Sequence, residues 1–159
     1  MVTYHSGNIL DSEADYICHQ VNCRGAMNSG IAKTIRERWP IVFERYWNCH
    51  IEKYDEMNNT YASWEHMLGK IQCVATGDAR IINMFAQEGY GYDGRRYTSY
   101  DAFWSCLGEM RAIPKGSRIA FPARIGCVRG GANWKVIFTM IEEVLGMDYN
   151  VEIWDFDRG

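Results

Sequence analysis

The chain has 159 residues, 47% of them hydrophobic and 23% charged, and a formal net charge of −3. That length can bury one sizeable core, so a single domain over residues 1–159 is expected. The acidic balance argues against a broad cationic surface for nucleic acid; no apolar run is long enough to span a membrane, and the opening MVTYHSGNIL lacks the basic and apolar regions of a secretion signal.

The six cysteines include no C-x-x-C pair, and several lie in apolar runs, where a reduced cysteine packs as a small hydrophobe. This points to a reducing, cytoplasmic setting and gives no support to a zinc site. No metal or other cofactor is expected.

Met1 to His5 alternates as a strand does, and Ser6-Gly7-Asn8 turns it. Tyr16 to Val21 (YICHQV) reads as a second strand, buried on both faces. It runs into a polar, glycine-bearing loop, Asn22 to Gly30, and a helix is predicted from Ser29 to Arg38. A strand that ends in such a loop and restarts as a helix offers unpaired N–H groups and a favourable dipole to an anion. Pro40 ends that helix or opens the next, predicted over Ile41 to Tyr54. Asp55 to Met67, polar with Asn58-Asn59, reads as a loop or insertion.

Ile71 to Ala75 and Arg80 to Phe85 form a predicted strand pair turned by Thr76-Gly77-Asp78. Gln87 to Tyr97 (QEGYGYDGRRY) is a surface loop rich in glycine and tyrosine. Thr98 or Ser99 caps a helix to about Ala112. Arg118 to Phe121 is a strand, Pro122 to Ala132 (PARIGCVRGGA) a second glycine loop, Asn133 to Leu145 a helix capped by Asn133, and Asn150 to Phe156 the last strand. The alternation predicts an α/β domain with a largely parallel sheet and helices on both faces. Its ligand is expected where the two glycine loops meet at the carboxyl ends of the strands.

Several residues have a chemical and a structural reading side by side. His19 titrates near neutrality and could act as nucleophile or acid/base group; it could equally be a hydrogen-bonded core histidine with a depressed pKa. Asn22 and Asn8 sit where they could bind a ligand or simply form turns. Arg129 is a phosphate partner within the second loop, whereas Arg95 and Arg96 fit a solvated loop better than a steering role. Asp93 and Asp101 are not separable from surface charges. Cys18 and Arg24 have the C-x5-R spacing of thiolate phosphatases, but no glycine lies between them and Cys18 falls within a strand, so that chemistry is rejected.

Taken together, Gly7-Asn8-Ile9-Leu10, Asp15 to Cys23 (DYICHQVNC), Gly30-Ile31-Ala32, Phe121-Pro122 and Ile125-Gly126-Cys127 resemble the macro domain family, which binds ADP-ribose and related nucleotides. The resemblance covers almost the whole chain and implies a three-layer α/β/α macro domain with a mixed, largely parallel central sheet. It implies that Asn8, with Ile9, meets the adenine; that Asn22 contacts the distal ribose; and that Gly25 to Ile31, with Ala26, Ser29 and Gly30, wraps that ribose and a phosphate. Ile125, Gly126, Cys127, Val128, Arg129 and Gly130 would close over the pyrophosphate. Phe85, Gln87 and Tyr90 or Tyr92 would form the cleft wall, and Phe156 would lie near the adenine.

The pattern is most similar to the yeast-type ADP-ribose 1''-phosphate phosphatases, which implies metal-free hydrolysis of that compound to ADP-ribose and phosphate, with His19 catalytic. Two alternatives stay open: a non-catalytic ADP-ribose reader, and a hydrolase that frees ADP-ribose from modified macromolecules. Relatives with the latter activity use a lysine and an aspartate where Gln87 and about Gly130 stand here, which argues against lysine-based chemistry. The expected partner is ADP-ribose or its 1''-phosphate, with no membrane, and with nucleic acid only as an ADP-ribosylated substrate.

Overall fold

The computed structural model describes residues 1–51, 54–55, 60–61 and 64–156, and side chains outside 50–65. The elements are β1 (Val2–Ser6), β2 (Tyr16–Val21), α1 (Gly30–Arg38), α2 (Pro40–Ile51), β3 (Tyr54–Asp55), β4 (Thr60–Tyr61), β5 (Ile71–Ala75), β6 (Arg80–Phe85), α3 (Tyr100–Met110), β7 (Arg118–Pro122), α4 (Trp134–Leu145) and β8 (Asn150–Asp155), with short 3-10 turns at Ile9–Asp11 and Trp64–Met67.

The main sheet has the order β1-β8-β7-β2-β6-β5. Its strands pair in parallel except β5, which runs antiparallel to β6 at one edge. The Thr76-Gly77-Asp78 turn explains that exception: Gly77 takes φ +95°, a conformation glycine adopts without penalty, and two short strands joined this tightly must be antiparallel. The sheet is therefore mixed and largely parallel, as expected.

Helices cover both faces. Ile35, Val42 and Tyr46 from α1 and α2 pack with Ile17, Val21, Ile81 and Phe85 on one face. Phe103, Leu107, Ile137 and Ile141 from α3 and α4 pack with Cys18, Ile82, Met84, Phe121 and Ile153 on the other. Alternation along β2 and β6 sends successive side chains to opposite cores, so both strands read as continuous apolar runs. Ser99 and Asn133 cap α3 and α4, accepting from the N–H of Ala102 and Lys135.

The second predicted helix shifts at both ends. The second helix begins at Pro40 and ends at Ile51, and Tyr54 belongs to β3, which pairs with β4 inside the stretch read as a loop. Residues 56–59 and 62–63 of that stretch lie outside the described residues.

What positions the site is the junction of β2 and β7. Their ladder runs only over Tyr16↔Ile119 and Ile17↔Ala120. From Cys18 on, β2 has no partner on that side, and a crevice opens between the strand ends. Connections leave it in opposite directions: β2 leads through α1 and α2 towards β6, and β7 leads through α4 to β8. Such a switch in an open α/β sheet is where loops cannot cover the strand ends and a ligand fits.

Candidate functional site

The crevice holds a cavity of about 500 Å³, walled by Gln20 to Asn22 at the end of β2, Ala26 to Ala32 of the first glycine loop and α1, Gln87 and Tyr90 to Tyr92 after β6, and Pro122 to Gly130 after β7. A second hollow of about 380 Å³ is walled by Gly7 to Leu10, Thr34 and Trp154 to Phe156. Both share Ile31, Pro122, Ala123 and Arg124, so they form one elongated cleft.

The first loop is held from below. Asn22 is buried, and its Oδ1 accepts from the N–H of Arg24 (2.9 Å) and of Ala26 (3.3 Å) while its Nδ2 donates to Ala26 O (2.9 Å). The Tyr46 hydroxyl, rising from α2, lies 2.7 Å from Asn22 O and 2.8 Å from Asn22 Oδ1, and accepts from the N–H of Gly25 at 3.0 Å. Burial keeps that phenol protonated, so it remains the donor this arrangement needs. Asn22 borders the cavity, but its amide is spent on folding the loop.

Above this base the backbone faces the cavity with unpaired donors. Ser29 stands at the N-cap of α1 and its side chain makes no capping bond, unlike Ser99 and Asn133. The N–H groups of the first turn, Gly30 to Ala32, make no hydrogen bond among the described residues, and these residues line the cleft at the positive end of the helix dipole. Opposite them, the N–H groups of Val128, Arg129 and Gly130 make no hydrogen bond within the described residues. Donors converging from two loops suit a diphosphate, which needs many acceptors satisfied at once.

The second loop is docked on a chain of side chains. Gln20 Nε2 donates to Gln87 Oε1 (2.7 Å) and to Thr98 Oγ1 (2.8 Å), and Thr98 Oγ1 donates to Gly126 O (2.8 Å). Tyr97 and Thr98 donate their N–H groups to Gly130 O. The approach is close enough that a Cβ on Gly130 would overlap Thr98 Oγ1 and Gly126 O, and one on Gly126 would lie 2.8 Å from Gln20 Oε1. Gln87 also donates to Gly89 O at 2.8 Å, so both ends of its amide are engaged.

Charge in the 500 Å³ cavity has one sign. Arg124 and Arg129 border it, and among the described residues no aspartate, glutamate, histidine or lysine does. Arg129 lies 5.1 Å over the ring of Tyr92, a contact that joins the two flanking loops across the mouth. Cys127 is the remaining thiol here, and burial pushes it up to about 11, so it is a neutral wall and not a nucleophile.

His19 is not in the cleft, which corrects the expectation of a catalytic group there. It is fully buried on β2 with its side chain toward α2, and its Nε2 bonds to Asn83 Oδ1 at 2.5 Å. Asn83 is its register partner on β6 and passes a further bond to Gln72 Oε1 on β5 at 3.0 Å. Since the Asn83 amide nitrogen serves Gln72, its oxygen takes the proton of His19 Nε2. Burial lowers the His19 pKa to about 4, against a smaller opposing effect of the Asn83 bond, so the ring is neutral near pH 7. Cys18, next to it, is also buried, and burial holds its thiol well above the usual range, which agrees with rejecting thiolate chemistry.

Of the residues expected to bind, Asn22, Ala26, Ser29, Gly30, Ile31, Gln87 and Ile125 to Gly130 border the larger cavity, and Asn8 and Ile9 the smaller one with Phe156. Asn8 Oδ1 already accepts from the N–H of Leu10 at 3.0 Å, so it shapes the turn as well. Two expectations are corrected: Phe85 is fully buried and stacks on Tyr46 with centroids 5.7 Å apart, and Gly25 lies behind the loop, bonded to Tyr46. Arg95 pairs with Asp93 (2.9 Å) and Arg96 lies over Tyr100, so both stabilise the surface loop and stay out of the cavity walls.

Sequence reasoning missed Gln20, Tyr46, Thr98 and Arg124. It also missed Glu152, which accepts from Ser12, Arg118 and Trp154 and so fixes the indole that walls the smaller hollow. Only Arg124, within the glycine loop, carried a local signal.

No family model matches the chain. Among solved structures, the macrodomain of Mycobacterium tuberculosis DarG aligns over 97% of each chain with TM-score 0.74 and 23% identity. The macrodomain of Thermus aquaticus DarG aligns over 98% of this chain and 97% of its own, with TM-score 0.73 and 18% identity. The fold is that of a macrodomain. Thermosipho africanus DarTG, solved in complex with ADP-ribose, aligns over 96% of this chain and 41% of that one, with TM-score 0.71 and 17% identity. Among curated proteins, the DNA ADP-ribosyl glycohydrolases of M. tuberculosis and Mycobacterium bovis are 39% identical over 46 residues. That match spans 29% of this chain and 13% of the length of those relatives.

Proposed function

We propose that the cleft binds ADP-ribose and that this macrodomain frees ADP-ribose from an ADP-ribosylated macromolecule, nucleic acid foremost. The observation that carries the reading is the convergence of unpaired N–H donors of Gly30 to Ala32 and Val128 to Gly130 on one cavity that Arg124 and Arg129 border and no carboxylate does. A diphosphate fits there, an adenosine fits the adjoining hollow between Asn8, Trp154 and Phe156, and the distal ribose reaches Asn22, Gln87 and Tyr90. The ADP-ribose in the Thermosipho structure and the printed activity of the mycobacterial relatives support the same assignment.

Among the described residues the cavity walls offer no general base that is free near pH 7, since Gln87 is hydrogen-bonded at both ends of its amide and Cys127 is protonated. Water is then oriented by the ligand itself, with a phosphate oxygen accepting its hydrogen bond and the N–H donors holding the diphosphate in place; as the water oxygen bonds to the anomeric carbon, the glycosidic electron pair leaves with the macromolecule's base or side chain, which takes up the proton the water loses. Phosphate release from ADP-ribose 1''-phosphate is the competing activity. It keeps the same anion site but loses its proposed catalytic group, because His19 lies in the core.

The test is a product assay with ADP-ribosylated single-stranded DNA, ADP-ribosylated protein and ADP-ribose 1''-phosphate in parallel. Release of ADP-ribose from the DNA supports the reading. Phosphate as the only product restores the phosphatase, and binding without any product makes the macrodomain a reader.

A further inference from the structure

The loop between β6 and α3 presents aromatic and cationic side chains on a braced frame. At its foot Gln87 and Thr98 form an antiparallel bridge. Within it Asp93 accepts from the N–H and Nε of Arg95 and from the Tyr97 hydroxyl (2.8 Å), and Gly91 crosses so closely that a Cβ there would overlap that hydroxyl. These contacts fix the loop before any ligand arrives, which lowers the ordering cost of binding. They hold Tyr90 and Tyr92 at the mouth of the cleft, 54% and 75% exposed.

Two guanidinium groups stand on the same rim. Arg129, from the second glycine loop, lies 5.1 Å over the Tyr92 ring, and Arg96 lies 4.4 Å over the ring of Tyr100. Arg96 is seated beside the loop that carries Arg129: a Cβ on Gly131 would lie 3.0 Å from Arg96 Cα. Neither arginine forms an ion pair among the described residues, whereas the carboxylates of the loop, Glu88 and Asp93, are paired with Arg24 and Arg95. The rim therefore sets two unneutralised positive charges beside two open tyrosine rings. Rings that stack bases, interleaved with cations that meet phosphates, make a surface for a single nucleic-acid strand, whose bases no complementary strand covers.

We propose that this rim binds the single-stranded nucleic acid that carries the ADP-ribose, with a base next to the modified nucleotide on Tyr92 and the flanking phosphates on Arg96 and Arg129. The proposal rests on the ADP-ribose reading of the cleft and adds how its macromolecule is held. The distal ribose reaches Gln87 and Tyr90, so the strand joined to it leaves across this rim, at the end away from the adenosine hollow. Arg129 covers one face of Tyr92, and a ring 75% exposed keeps the other for a base. A modified polypeptide offers neither the backbone phosphates nor the successive bases that this surface matches.

Displacement of radiolabelled ADP-ribose, read before product accumulates, would compare an ADP-ribosylated mononucleotide, a short single-stranded DNA with the same modified nucleotide at its centre, and an ADP-ribosylated peptide. The strand is expected to bind about tenfold more tightly than the mononucleotide, the scale of one stacked base, and the peptide no more tightly than the mononucleotide. Tyr92→Leu and Arg96→Gln each remove most of that gain, and Tyr92→Phe keeps it. Arg96→Gln, at a side chain outside the cavity walls, binds ADP-ribose itself as the wild type does, and thermal melts confirm the fold of each variant. Equal affinity for strand and mononucleotide, a gain that either variant keeps, or the same gain with the peptide overturns the surface and leaves the cleft intact. If radiolabelled ADP-ribose does not bind, the reading of the cleft falls, and the surface with it.

Discussion

The Tyr46 hydroxyl on α2 and the Asn22 side chain at the end of β2 lie 2.8 Å apart, and through that contact a core residue sets the shape of the loop that faces the ligand. Tyr46 is fully buried, so its hydroxyl has no water to turn to, and Asn22 O and the Gly25 N–H depend on it.

Tyr46→Phe removes one oxygen and leaves those partners unsatisfied. The expected cost is about 1–3 kcal/mol of stability, the penalty for stranding buried polar groups, measurable by chemical denaturation. ADP-ribose affinity should fall several-fold as the loop relaxes. An unchanged affinity would show that the loop holds its form without the anchor.

His19 gives the protein an acid-sensitive core. An unfolded histidine takes up a proton near pH 6.5, whereas the buried ring does so only near pH 4. Between those values the unfolded state binds the extra proton, so stability falls as the pH drops, by on the order of 3 kcal/mol across the window. Above pH 6.5 the ring is neutral in both states and contributes no pH dependence. His19→Gln should flatten the stability profile between pH 6.5 and 4 while retaining ADP-ribose binding and turnover. Loss of turnover with a normal fold and normal binding would return His19 to catalysis.

Gly130 tests the docking of the second loop. Because a methyl group there overlaps Thr98 Oγ1 and the Gly126 carbonyl, Gly130→Ala should push the loop off its seat, cost about 1–3 kcal/mol and weaken ADP-ribose binding at least tenfold. Gly77→Ala is the matched control: it strains a φ of +95° in a remote turn with open space around it, so stability drops and affinity does not.

Arg129 is exposed and stacked on Tyr92 at the mouth. Arg129→Ala should weaken binding several-fold at low salt, and the difference from wild type should shrink as salt rises. A salt-independent loss would mean that Arg129 acts by packing against Tyr92 and not by its charge.

The elements were legible where local chemistry decides them. The limits of β2 follow from its apolar run, the β5–β6 turn from Thr76-Gly77-Asp78, and the caps of α3 and α4 from Ser99 and Asn133. The role of His19 was not, because a strand shows that a residue alternates but not which neighbour faces it. Its partner Asn83 is 64 positions away and is brought opposite only by the register of β2 on β6. Tyr46 read as one more apolar position of a helix, and nothing nearby in sequence announced that its hydroxyl would meet Asn22. The same holds for the Gln20–Thr98–Gly126 chain, which joins three segments. Phe85 failed in the opposite sense: the last residue of a strand that ends at the cleft still turns its ring into the core.

The most direct measurement is a calorimetric titration of the wild-type chain with ADP-ribose, beside AMP and ribose 5-phosphate, which carry the two ends without the joined diphosphate. If amides of both loops clasp a diphosphate, ADP-ribose binds at one site in about the micromolar range, near −8 kcal/mol, far more tightly than either half, and Gly130→Ala abolishes most of the difference. No heat at millimolar ADP-ribose, or equal affinity for AMP, would contradict the account.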